Sequence, residues 1–207
     1  NTKRNTKNKS KISQMVWKVF IMLEEHLGGH NDLTHLDEGA LKWLKYYFNA
    51  QTYLDVGCGP GGMVQLAEKI GLEAVGIDGD HTLNRYDENK FLIHDFTTGP
   101  LNHLGKKYDI GWSVEFVEHV YQEYIPNYMT SFQACKVFVM TYAPVGATGY
   151  HHVNCNTEEY WIETMSNYGF KYNPSLTVEL RKHSTMGKKR KHQFLKRTGL
   201  LFQNEQI

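Results

Sequence analysis

The stretch Tyr53-Leu54-Asp55-Val56-Gly57-Cys58-Gly59-Pro60-Gly61-Gly62 constrains this chain more than any other part of it. An apolar run leads into Asp55, and glycines then crowd a turn ahead of a helix-like segment, Met63 to Ile70. Glycine has no Cβ, so such a turn lets backbone come very close to a bound ligand. Gly57-x-Gly59-x-x-Gly62 also fits the dinucleotide fingerprint, a pattern of low specificity on its own. Two details point elsewhere. Asp55 stands two residues before the first glycine, where it can meet a cationic ligand group. The next apolar run ends Val75-Gly76-Ile77-Asp78, about twenty residues on, where an acid can bind both hydroxyls of a ribose.

Around this turn, strand and helix patterns alternate. Strands are expected at Thr52–Val56, Glu73–Ile77, Phe91–His94, Tyr108–Ser113 and Lys136–Tyr142, and helices at Gly62–Ile70, Val117–Gln133 and Thr157–Tyr168. That order implies an α/β fold with a doubly wound, mostly parallel sheet. Ahead of it, apolar residues from Ile12 to Leu27 recur at helical spacing until Gly28-Gly29, and a second helix is expected from Asp37 or Glu38 to Phe48. Residues 1–11 read as a basic disordered tail, and 12–207 as a single domain with an N-terminal helical segment over 12–49. Past Gly169, Phe170–Tyr172 and Phe194–Phe202 read as two strands joined by a basic segment.

L-D-V-G-C-G-P-G-G followed by G-I-D resembles the class I S-adenosylmethionine-dependent methyltransferases, over about Tyr53 to Phe202 and most strongly up to His119. The resemblance implies a Rossmann-like sheet closed by a C-terminal antiparallel strand, with S-adenosylmethionine as cofactor. It implies that Gly57, Gly59 and Gly61 cradle the methionine end, that Asp55 assists near the amino group, and that Asp78 takes the ribose hydroxyls. Asp95 would meet the adenine amine and Phe96 the ring; Asp95 fits a turn cap before Thr97-Thr98-Gly99-Pro100 as well. Cys58, Gly79 and Ser113, in the same motifs, complete the candidate cofactor-binding set.

The fourth strand runs into Glu115-Phe-Val-Glu118-His119. A helical turn would gather Glu115, Glu118 and His119, at i, i+3 and i+4, on one face. Two carboxylates and an imidazole suit Mg²⁺ or Mn²⁺, the nitrogen also Zn²⁺, and E-x-x-E-H here resembles metal-assisted O-methyltransferases, including small-RNA 2′-hydroxyl enzymes and ubiquinone-pathway catechol enzymes; the same residues also fit a substrate-side helix start without metal. His151 or His152, in the glycine-containing loop between Tyr142 and Tyr160, offers a further ligand; otherwise His119 or this pair serves as general base without metal. The loop reads as a substrate-facing lid.

The net charge of +1 over 207 residues hides an asymmetry. Lys3, Arg4, Lys7, Lys9 and Lys11 crowd the start, and Arg181, Lys182, Lys188 to Lys191, Lys196 and Arg197 the end, around an acidic body. Solvated tails are the plain reading of the basic ends and RNA or another anionic acceptor the sharper one, while a small-molecule or sugar-type acceptor is the first expectation. Apolar runs are too short to span a bilayer, and three scattered cysteines suggest reduced thiols in a cytoplasmic setting. The expected activity is methyl transfer to an oxygen or nitrogen of a polar acceptor. Its rivals are a non-catalytic cofactor-binding partner module and an NAD(P)-dependent oxidoreductase, which would leave Asp55 without a role.

Overall fold

A computed structural model describes residues 23–102 and 104–207. The expected basic tail, and the expected helix from Ile12 as far as residue 22, lie outside the described residues. The rest of that segment holds one 3-10 turn, Glu25–Leu27, and then a loop.

From there the chain runs α1 (Glu38–Tyr47), β1 (Thr52–Val56), α2 (Gly62–Lys69), β2 (Glu73–Asp78), β3 (Phe91–Ile93) and β4 (Tyr108–Ser113). It continues through α3 (Ile125–Phe132), β5 (Cys135–Met140), α4 (Glu158–Asn167), β6 (Phe170–Tyr172), α5 (Pro174–His183), α6 (Phe194–Thr198) and β7 (Leu200–Asn204). The strands form one sheet in the order β3-β2-β1-β4-β5-β7-β6. The first five are parallel, and β7 enters antiparallel between β5 and β6. This is the expected doubly wound, mostly parallel, Rossmann-like sheet, with its antiparallel strand at the C-terminal end.

Side chains alternate across a strand, so each central strand feeds two cores. Tyr53, Ile110, Trp112, Val137 and Val139 pack on one face with α1, α2, Leu180 of α5 and Leu195 of α6. Leu54, Val56, Phe138 and Met140 pack on the other with α3 and with Trp161 and Met165 of α4. Both faces being covered explains why β1 and β5 read as near-continuous apolar runs.

Two expected elements come out differently. The helix over Val117–Gln133 is two 3-10 turns, Val117–His119 and Gln122–Tyr124, followed by α3. Pro126 lacks an amide hydrogen and fits only the first helical turn, so the regular helix starts at its side. The expected strand over Phe194–Phe202 is helical in its first half. Leu195 turns into the core from α6, and β7 begins only after Gly199. The expected basic connection also contains a full helix, α5, capped by Asn173 and opened by Pro174.

Candidate active site

The strands β1, β2 and β4 end at a common crevice, where the strand order reverses and a doubly wound sheet holds its ligand. A cavity of about 440 Å³ opens there, within the size range of small-molecule sites. Asp55, Gly57, Cys58, Gly59, Asp78, Gly79, Asp95 and Phe96 line it on one side, and Glu115, His119 and His152 on another. Gly61, Ser113, Glu118 and His151 are not among the lining residues, so the second cluster meets the cavity through His119 and His152. Gly61 caps α2, and the Ser113 hydroxyl is buried and donates to the Val56 carbonyl at 2.9 Å.

Gly57 shows why the turn needs glycine. Its φ is +77°, and a Cβ would come within 2.3 Å of the Phe116 ring. Asp78 closes β2 with its Oδ2 accepting the Gly59 amide at 2.7 Å and its Oδ1 accepting the Asp80 amide at 2.8 Å. Burial raises the Asp78 pKa; these amides and the nearby Arg85 oppose that rise. Asp55 is buried deeper, and burial, reinforced by the charge of Asp78, pushes its carboxyl well above the usual range. A cationic group brought beside it would favour the charged form. Asp95 does cap a turn, with Oδ1 accepting the Thr97 amide at 2.8 Å, while Oδ2 takes the His26 imidazole.

The loop after β4 carries the second cluster. Glu115 has a φ of +55° and precedes the 3-10 turn, so no single helical turn aligns it with Glu118 and His119. The structure instead groups Glu118, His119 and His152, with one ligand-type atom from each within 4.8 Å of the others. Among the described residues, neither Glu118 carboxyl oxygen has a hydrogen-bond partner, and the buried His119 Nδ1 has none. Burial, reinforced by Glu115, drives the Glu118 pKa well up. Burial and the neighbouring His152 hold His119 down to about 4. Burial likewise raises Glu115 to about 7, opposed in part by the neighbouring Glu118 carboxyl, then by the Thr141 hydroxyl and the charge of Arg197.

His152 reaches this cluster because its loop is tied to the β4 loop: the Glu118 carbonyl accepts the Val153 and Asn154 amides at 2.9 and 3.1 Å. His151 points away from the group. Its ring meets Tyr121 edge-on, and its Nδ1 faces Glu25 at 4.0 Å. The same loop sets Tyr150 against Gly28 and Gly29 of the N-terminal segment, which crosses the cavity mouth.

Several lining or supporting residues carry no local signal. His26 and His30 lie where a helix end was expected, and they reach Asp95 and Asp80 at 3.0 and 2.8 Å. His35, His192 and Phe194 form an aromatic wall, with His35 4.7 Å from Phe194 and 5.9 Å from His192 between ring centres. Arg85 is buried behind Asp78. For His192 and Phe194 the signal is present, aromatic residues set among bases, but His192 falls in the expected basic connection and Phe194 in the expected strand.

Residues 54–136 match the family model of a methyltransferase domain. Among solved structures, the chain is similar to a TehB-like SAM-dependent methyltransferase from Corynebacterium glutamicum (13% identity, 81% of this chain and 88% of that one, TM-score 0.55). It is also similar to magnesium protoporphyrin IX methyltransferase from Synechocystis PCC 6803 with bound SAM (16% identity, 78% and 74%, TM-score 0.51). A third likeness is the plantazolicin methyltransferase BpumL in complex with a pentazolic desmethylPZN analogue and SAH (13% identity, 81% and 82%, TM-score 0.53). At these identities the likenesses speak for the fold. Comparison with curated proteins gives no significant match.

Proposed function

We propose that this chain, a class I S-adenosylmethionine-dependent methyltransferase by its matched domain and its fold, methylates a hydroxyl oxygen of a polar acceptor with the help of a divalent cation. The observation that carries the reading is Glu118: a buried carboxyl with both oxygens unpartnered among the described residues, grouped with His119 and His152. A buried charge is retained only with a partner. A carboxylate and two imidazoles suit Mn²⁺ and, with water completing the shell, Mg²⁺. A cation held by these three residues would supply Lewis acidity that makes an acceptor hydroxyl more acidic. Nitrogen acceptors fit this set less well, because an amine gains nothing from being bound to a cation through its lone pair.

The chain's own residues have four tasks. Gly57 and Gly59 would bring backbone against the methionine end, while Asp55 meets the amino group. Asp78 would accept from the ribose hydroxyls, and Asp95 with Phe96 would hold the adenine. The segment over residues 23–36 and the Tyr150 loop would keep water from the reacting atoms. Glu115, beside the triad, would in its ionised form accept the acceptor's proton; burial raises its pKa to about 7, which makes it a stronger base that is still partly ionised near neutral pH. S-adenosylmethionine, when bound, supplies an electrophilic methyl group on a sulfonium, so catalysis rests chiefly on alignment. The three free thiols support a cytoplasmic setting, and among the described residues no helix is long and apolar enough to cross a membrane.

Calorimetry with Mn²⁺ tests the reading without a known acceptor. Wild type should bind about one ion, and Glu118→Gln and His152→Ala should lose it while keeping S-adenosylmethionine affinity. Equal ion binding by wild type and both variants would leave the reading without its cation. In that case Glu115 and His119 would be the groups to test as a metal-free base pair.

A further inference from the structure

The acceptor's chemistry can be read from the rim of the same cavity. Lys188, Lys189, Arg190, Lys191, Lys196 and Arg197 are all exposed. Elsewhere Lys90, Lys106, Lys136, Lys171, Arg181 and Lys182 each face a carboxylate within ion-pair distance. None of the six does so among the described residues. They nonetheless belong to an ordered part of the fold. A 3-10 turn spans Arg190–His192, and α6 follows it with Leu195 buried in the core. Set between the bases, His192 and Phe194 turn inward and line the cavity with His35.

We propose that residues 188–197 form the landing surface for a single-stranded nucleic acid, one nucleoside of which stacks on the His35–Phe194–His192 wall and presents its hydroxyl to the Glu118 cluster. This rests on the methyl-acceptor reading of that cluster. Unpaired cations in a row suit phosphates spaced along a chain, and aromatic faces among them suit bases; this pairing is how single strands are held without strict sequence preference. A duplex fits less well, because its bases are stacked away from any aromatic wall and a nucleoside must leave the stack to enter a cavity. An anionic membrane fits less well too. The exposed side chains of the segment are charged, Leu195 is in the core and Phe194 faces the cavity, so no apolar side chain is offered to lipid. A small phosphorylated molecule would need two or three donors converging on one point, rather than a run of exposed ones.

The test uses the full chain, its basic first residues included, and a fluorescein-labelled single-stranded RNA of about 20 nucleotides, read by anisotropy across about 50 to 200 mM salt. Lys189→Glu/Lys191→Glu should bind at least about tenfold more weakly, with a salt slope shallower by about 1.4, the value for two lost single-strand phosphate contacts. A control with the same charge change away from the rim, Lys107→Glu/Lys171→Glu, should stay within about twofold of wild type. Wild type should also bind an abasic strand of equal length about tenfold more weakly, and Phe194→Leu should shrink that difference, since base–aromatic stacking contributes on this scale. Both double variants should bind S-adenosylmethionine as wild type does, which reports that they are folded.

Equal loss in the rim and control variants would overturn the proposal, because binding would then follow overall charge. So would inorganic tripolyphosphate competing as well as RNA, or binding to phosphatidylserine vesicles with none to RNA. If RNA binds at the rim while Mn²⁺ does not bind at Glu118, the cation-assisted reading fails and the landing surface stands.

Discussion

The imidazole Nε2 of His26 stands 3.0 Å from Oδ2 of Asp95, across 69 residues of sequence. This contact pins the segment crossing the cavity mouth to the acid at the end of β3. Leu27 lies next to it, close enough to Gly79 that a Cβ there would meet its side chain at 2.3 Å. The second clasp, His30 on Asp80, sits four residues on. His26→Ala should therefore loosen the cover over the proposed adenine end. We expect S-adenosylmethionine to bind about fivefold more weakly, chiefly through faster release, as for loss of one hydrogen bond of roughly 1 kcal/mol net. Stopped-flow displacement measures this directly; an unchanged release rate would show that the segment does not gate the cofactor.

Gly57→Ala tests the turn itself. The substitution forces a side chain onto a φ of +77° and into the Phe116 ring. Phe116 packs edge-on to Phe96 and Tyr128, with ring centres 6.0 and 5.4 Å away, so it has little room to withdraw. The variant should lose about 2 kcal/mol of stability or more. It should also show no measurable cofactor affinity by calorimetry. A folded Gly57→Ala protein with wild-type affinity would remove this turn from the site.

Asp37 joins the two ends of the described chain. It caps α1 by accepting the Ala40 amide at 3.0 Å, and it accepts the Thr185 amide at 2.8 Å and the Ser184 hydroxyl from the residues after α5. It is fully buried. Asp37→Ala removes a helix cap and strands buried donors, which together should cost about 3 kcal/mol. Urea unfolding checks this, and Asp37→Asn should recover part of the loss because its side-chain carbonyl still accepts.

Asp109 gives the fold an acid limit. Burial alone would raise its pKa, but the Lys136 ammonium, the Gln51 amide and the Thr52 amide and hydroxyl together bring it down to about 2. A carboxyl depressed in the folded state contributes stability above its unfolded pKa of about 4, and that contribution fades as pH falls toward 2. Asp109→Asn should therefore be less stable than wild type at pH 7, and the gap should close between about pH 4 and pH 2. A gap that is constant with pH would mean that the contacts at this side chain do not depend on its charge.

Local pattern carried much of this fold. Thr52–Val56 and Tyr108–Ser113 were legible to the residue, because apolar runs bounded by turn residues leave little choice of limits. Asp78 and Asp95 were legible as strand-end positions for the same reason, although β3 stops one residue earlier than expected. What was not legible depends on distant partners. Phe194 and Leu195 read as strand residues and became helical because a core and a cavity wall receive them from α6. Glu115 was expected on a helix face with Glu118. The β4 loop instead turns through a positive φ there, and its amide donates to the Thr141 hydroxyl beyond the neighbouring strand. The two histidine clasps and Arg85 carry no periodic or motif signal; each is recognisable only once its partner acid is in place.

Arg85 is the residue through which the glycine turn and the β2 acid are held to each other. Its side chain is about 1% exposed. Nε donates to the Gly59 carbonyl at 3.1 Å, Nη2 donates to the Asp80 carbonyl at 3.0 Å, and Nη2 stands 3.5 Å from Asp78 Oδ1. The guanidinium also lies over the Phe91 ring, 5.3 Å from its centre. One planar fork thus satisfies two carbonyls and sets a charge behind Asp78, opposing the rise that burial imposes on that carboxyl. Lysine has one point charge and cannot reach all three groups, so Arg85→Lys should behave nearly as Arg85→Met does. Both should lose about 3 kcal/mol of stability, as when one member of a buried charged pair is removed. Both should also bind S-adenosylmethionine at least about tenfold more weakly, because the Asp78 carboxyl would be less ionised and less fixed. A cofactor analogue without ribose hydroxyls separates the two effects. If Arg85 acts through Asp78, wild type and variants should bind that analogue with similar affinity. If both ligands lose affinity to the same extent, Arg85 serves the glycine turn alone.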